Sequence, residues 1–165
     1  MTSTHRRLLL AAIAAGLAGC GFELRRAPEL RFRTIQLLGF KPRSPLAEEL
    51  RRNIDSSKTT LVVESAAQAQ VQLEALTDAR ERSVVASTAA GQVRELQLRT
   101  RLLFRLRSAA GKVLIPPTEL LLSRDMSYSE NLALAKEQEE ALLYRTMQSD
   151  IVAQVMRRLA AVPEI

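Results

Sequence analysis

The chain has 165 residues, of which 47% are hydrophobic, 25% charged and 4% aromatic, with no tryptophan. That length and balance fit one domain with a core of Leu, Val, Ile and Ala, and they exclude a chain disordered throughout. The formal charge is +6, and of 24 basic residues only Lys41, Lys58, Lys112 and Lys136 are lysines; such arginine bias suits an anionic partner, although arginine-rich codon usage gives the same composition.

Residues 1–20 read MTSTHRRLLLAAIAAGLAGC. Arg6 and Arg7 precede an apolar run, Leu8 to Leu17, which is too short to span a bilayer and of the right length for a signal peptide. Cys20 is the only cysteine, which excludes an intramolecular disulfide. The only histidine, His5, falls within the signal, so a Cys–His nucleophile is not expected either. Leu17-Ala18-Gly19-Cys20 resembles the bacterial lipobox, which implies cleavage after residue 19 and acylation of Cys20. Residues 1–19 are then a lipoprotein signal peptide, and residues 20–165 a single periplasm-facing domain on a lipidated tether. Several acyl chains give lasting attachment. Gly21-Phe22, with no aspartate after the cysteine, favours the outer membrane in the sorting scheme such lipoproteins resemble. Loss of Arg6 and Arg7 leaves the mature chain a formal +4.

RTIQLLGF (33–40) alternates around Ile35 and Leu37 and predicts a strand, ended by Gly39, Pro42 and Pro45. SPLAEELRRNI predicts a helix with Ser44 as N-cap, Pro45 at its first position, Glu48 and Glu49 in the first turns, and an apolar face of Leu46, Leu50 and Ile54. TTLVVE (59–64) predicts a second strand, and Ala69 to Ser87 a third. A turn around Gly91 leads into VRELQLRTRLLFRLR (93–107). There Leu96, Leu98, Thr100, Leu102, Phe104 and Leu106 face one way, and Arg99, Arg101, Arg105 and Arg107 the other. SAAGK predicts a second turn, and residues 113–129 a strand that Pro116-Pro117 confines to an edge or a bulge. Ser127 to Glu130 offers a capping box for a helix over 131–161. Its stripe is Leu143, Met147, Ile151, Val155 and Leu159, widened by Leu132, Leu142 and Met156, and it should lie against the sheet. The expected class is α+β: two helices packed on one face of a four- to five-stranded mixed β-sheet, a two-layer sandwich.

Catalytic patterns are missing: there is no P-loop, dinucleotide turn, nucleophile elbow or metal-loop motif, so neither an enzyme nor a cofactor is expected. The feature with chemical content is the arginine ladder, to which Arg80 and Arg82 of the preceding strand would add if the hairpin is regular. It reads either as a solvated face partnered by Glu74, Glu81 and Glu95 or as a surface for a phosphorylated or carboxylated ligand. The face lacks aromatics to stack bases, so nucleic acid is not an expected partner. Lys136 falls in the first turns of the last helix, and Tyr128 and Tyr144 read as core or interface, with core the default.

The order of these parts resembles the LptE family of lipopolysaccharide-assembly lipoproteins. The resemblance is carried by LAGCGFELR, PLAEELRRNI, the hairpin AAGQVRELQL and the terminal NLALAKEQEEALLYRTMQSDIVAQVMRRL. It implies two helices on a four-stranded sheet and a non-enzymatic role: plugging and helping to assemble the LptD β-barrel of the outer membrane, and binding lipopolysaccharide. By the ALAK match it implies a ligand contact at Lys136; the hairpin tip, Thr88 to Gly91, departs from the pattern in lacking a basic residue. Arg82, Arg94 or Arg99 would compensate, beside Arg101 and Arg105 of the ladder. Two other readings are a lipoprotein binding a different anionic envelope component and a hydrolase of envelope polymers.

Overall fold

The computed structural model describes residues 29–163. The expected signal peptide, Cys20 and the tether after it lie outside the described residues.

Strand β1 (Thr34–Leu38) leads through a short loop into helix α1 (Pro45–Ser56), which returns to β2 (Leu61–Val63), parallel to β1. Ser44 accepts from the Ala47 N–H, and Pro45, which has no N–H to satisfy, fills the first helical position, so the predicted start of α1 holds. Leu46, Leu50 and Ile54 are buried, one face of the helix set down on the sheet. Three long strands follow as a meander: β3 (Val71–Ser87), β4 (Val93–Ser108) and β5 (Val113–Ser127). The sheet order is β2-β1-β3-β4-β5, with β1 and β3 parallel and the hairpins antiparallel. Helix α2 (Ala133–Ala160) crosses β4 and β5 and packs beside α1. The sheet is thus five-stranded and mixed with both helices above it, the α+β arrangement expected.

The main core lies where both helices cover the sheet. Ile35, Val71, Leu73, Leu102, Phe104 and Leu106 meet α1 from below and Ile151, Val155 and Leu159 of α2 beside it. Each fully buried side chain of this size contributes about 1.5–3 kcal/mol by leaving water. The far ends of β3, β4 and β5 extend beyond β1 and α1, and a smaller cluster, Leu96, Leu98, Met126 and Met147, holds the middle of α2 to them. Pro116 and Pro117 fall at an irregularity of the edge strand: Phe104 pairs with Thr118 but Leu106 with Ile115, so two prolines oppose one residue, Arg105.

Three sequence expectations are corrected. The capping box does not form: β5 runs on through Ser127, a 3-10 turn covers Glu130–Leu132 without a side-chain cap, and α2 starts at Ala133. Leu132 and Leu142 do not widen the buried stripe but stand exposed, whereas Met156 is buried. The third correction concerns β3. The register slips by one residue between Ala75 and Thr77, leaving Leu76 as a bulge. From Asp78 to Val84 the even-numbered residues turn to the helix side, and Arg80 and Arg82 oppose Thr100 and Leu98 rather than joining the ladder. Gly39 fits against this bulge. It holds a φ of 75°, and a Cβ there would lie 2.2 Å from the Ala75 carbonyl oxygen, so only glycine allows the approach.

Candidate functional site

The bulge divides the arginines of one sheet between two surroundings. On the side away from the helices, Arg99, Arg101, Arg105 and Arg107 project from β4 at period two, with half-buried Leu103 among them. Glu74 of β3 answers two of them: its Oε2 accepts from Arg105 Nε at 2.8 Å and from Arg107 at 2.7 Å. The Arg105 hydrogen bond first, and the charges of both arginines after it, outweigh desolvation and hold the Glu74 carboxyl below its ordinary value. Arg101 pairs with Glu119 of β5. Arg99, one step further out and exposed, donates only to Gln97 at 2.8 Å and has no carboxylate within 4 Å among the described residues. Charge compensation therefore falls away along the ladder toward Arg99. Like charges at this spacing are unfavourable unless solvent or an anion answers them, so the unanswered end is the part of the face with chemistry to offer.

On the helix side, Arg80 and Arg82 belong to a polar seam. Arg80 donates at 2.5 Å to Oε1 of Gln148, which is 5% exposed, and its guanidinium lies 5.3 Å from the centroid of the Tyr144 ring. The Gln148 amide donates to the Pro45 carbonyl at 3.1 Å and to Glu49, and Ser149 donates to the other oxygen of Glu49 at 2.7 Å. Arg82 pairs with Glu140 at 3.2 Å. The Tyr144 hydroxyl donates to the Glu81 carbonyl at 2.7 Å; burial, and then Glu140, push that phenol above its usual range. One glutamine thus ties α1, β3 and α2 together, and sequence periodicity offered no sign of it. Tyr144 joins this seam to the smaller cluster, against which Tyr128 also packs.

A cleft of about 910 Å³ opens over the seam between α1 and the first half of α2. Arg52, Arg80, Arg82 and Arg145 line it, but so do Glu48, Glu49, Glu137 and Glu140. Four charges of each sign leave it self-compensated, which argues against an anion site there. The other predicted residues lie apart from both groups. Lys136, with its side chain 15% exposed, donates to Ser127 at 3.0 Å and Glu139 at 2.7 Å where β5 meets α2. Arg94 is exposed near the outer end of β4, its carbonyl accepting from Tyr128 N–H at 2.8 Å. The structure therefore brings Arg99, Arg101 and Arg105 together and leaves Arg82, Arg94 and Lys136 outside that group.

The lipopolysaccharide-assembly family LptE matches residues 32–159. The chain is similar to the solution structure of an uncharacterized lipoprotein B from Nitrosomonas europaea, with 30% identity and a TM-score of 0.71 over 86% of this chain and 91% of that one. A rare lipoprotein B from Shewanella oneidensis shares the fold at 22% identity and a TM-score of 0.65, covering 78% of this chain and 95% of its own. A minor lipoprotein from Acinetobacter baumannii does so at 18% identity and 0.63, covering 80% and 93%. No curated protein matches the chain.

Proposed function

The chain belongs to the LptE lipopolysaccharide-assembly family, and from that premise we propose that it is an outer-membrane lipoprotein, anchored through acylated Cys20 and facing the periplasm, that partners and plugs an LptD-like β-barrel and binds lipopolysaccharide. The family match over residues 32–159, nearly all of the chain beyond the expected anchor, carries this reading. The role is one of binding and positioning rather than catalysis. No helix among the described residues is long and apolar enough to cross a membrane.

Lipopolysaccharide carries phosphates on its lipid moiety, and guanidinium groups pair with phosphate oxygens through two parallel hydrogen bonds. Arg99 supports this role best, because it gives up no carboxylate partner on binding. Arg101 and Arg105 would have to exchange Glu119 and Glu74 for the ligand. Lys136 contributes at the start of α2 by releasing Glu139.

Two measurements test the proposal. The acylated protein, purified from membranes under mild detergent, should bring down one β-barrel of several hundred residues in stoichiometric amount. Charge reversal at Arg99, Arg101 and Lys136 together should weaken binding of purified lipopolysaccharide at least about tenfold, as expected for the loss of even one charge-assisted hydrogen bond. Unchanged binding in that variant would make the ladder a solvated face and nothing more.

A further inference from the structure

A separate group of cations lies on the helix side of the sheet, away from the ladder. The loop between β1 and α1 encloses, with β3 and β4, a cavity of about 290 Å³. Lys41 and Arg43 line it from the loop and Arg80 from the sheet. The direct partners of Arg80, the Gln148 side-chain carbonyl and the Tyr144 ring, are uncharged, and the carboxylates it shares with the larger cleft do not line this cavity. A single carboxylate, Asp78, opposes these three cations, and its Oδ2 already accepts from the Ser44 hydroxyl at 2.6 Å. The cavity wall includes the first turn of α1, a helix of 12 residues, whose dipole adds positive potential at that end.

An independent observation comes from the sheet below. Thr100 lines the same cavity, is 2% exposed, and has the one buried side-chain hydroxyl among the described residues without a hydrogen-bond partner. Buried polar groups ordinarily find partners, and this hydroxyl in the wall of a cationic cavity keeps a hydrogen bond unused by the chain.

We propose that the cavity at the start of α1 binds a phosphate group, either a free phosphate or the phosphomonoester of a lipid headgroup, between Lys41, Arg43 and Arg80, with Thr100 hydrogen-bonded to one of its oxygens. A tetrahedral oxyanion suits the site better than a planar carboxylate. Cations converge from the loop on one side and the sheet on another, and a hydroxyl can donate to an ionised phosphate oxygen or accept from a protonated one. The volume also leaves room for the first atoms of a substituent. The site does not depend on the assembly role proposed above.

The full acylated chain in non-ionic detergent is titrated calorimetrically with inorganic phosphate and, separately, with mixed micelles containing phosphatidic acid. Saturable binding of either probe is expected: of free phosphate for a soluble anion, of phosphatidate alone for a lipid headgroup. Arg43→Glu should weaken that binding at least about tenfold and Thr100→Val about threefold, the losses expected for a charged and a neutral hydrogen bond. Asp78→Asn keeps an acceptor for Ser44 and removes the competing charge, so it should tighten binding, a gain that misfolding does not mimic. Failure of both probes to saturate, or equal binding by wild type, Arg43→Glu and Asp78→Asn, overturns the proposal and leaves the family reading untouched.

Discussion

Arg80 and Arg99 stand one strand apart on the same sheet and meet different surroundings. Arg80, on the helix side, spends its hydrogen bonds on Gln148 and stacks on Tyr144, where it joins β3 to α2. Arg99, on the open side, touches Gln97 and solvent. Identical side chains take up different partners according to the face that the register gives them, and the bulge at Leu76 sets that face for β3. Counting arginines therefore says little about ligand binding until each has been assigned to a face and its carboxylates have been subtracted.

The largest expected effect comes from disturbing the bulge itself. Gly39→Ala drives a methyl against the Ala75 carbonyl and holds a non-glycine residue at positive φ, and it should cost about 2–4 kcal/mol in urea unfolding. Loss of the seam comes next. Gln148→Leu leaves Arg80 and Glu49 without their bridge and should cost about 2–3 kcal/mol, read as a lower unfolding midpoint at unchanged slope. A cost no greater than that of a surface substitution would erase the distinction between the two faces.

On the open face the effects are smaller. Glu74→Gln should cost less than about 1 kcal/mol at neutral pH, since the cluster is partly solvated. Its pH dependence is the sharper reading. A carboxyl held below its ordinary value of 4.5 stabilises the fold above that pH, and the contribution disappears as pH falls through the lowered folded value. The gap between wild type and Glu74→Gln should therefore be widest at neutral pH and close below pH 4.5, measured by urea unfolding across that range. Arg99→Ala should alter stability by less than about 0.5 kcal/mol while weakening lipopolysaccharide binding, the combination that separates an available arginine from a structural one.

The fold was legible where periodicity and caps agree. Leu46, Leu50 and Ile54 behind Ser44-Pro45 define α1, and the alternation from Leu96 to Leu106 defines β4 and its two faces. Pro116-Pro117 marked the irregular edge. The bulge was not legible because the sequence reads well without it: Val71, Leu73, Ala75, Thr77 and Ala79 continue the alternation, with Arg80 and Arg82 on the polar side. What reverses them is the fit of Gly39 against Ala75 and the seam on α2, contacts between residues far apart in the chain. Ser127 and Glu130 have the residue types of a capping box, yet pairing of Ser127 with Glu95 keeps the strand going through that point. Lys136 was visible only through the family resemblance, because one lysine on a polar helical turn carries no pattern of its own.

The central claim, that this lipoprotein works against an outer-membrane barrel, is tested most directly by photo-crosslinking in living cells. A photoreactive residue is introduced in place of Arg99 in one strain and Leu134, which is 72% exposed on α2, in another. The account predicts one adduct of the mass of a large β-barrel from at least one of the two positions, and recovery of the same barrel with the untreated acylated protein. Adducts spread over unrelated envelope proteins, with no barrel recovered, would contradict it.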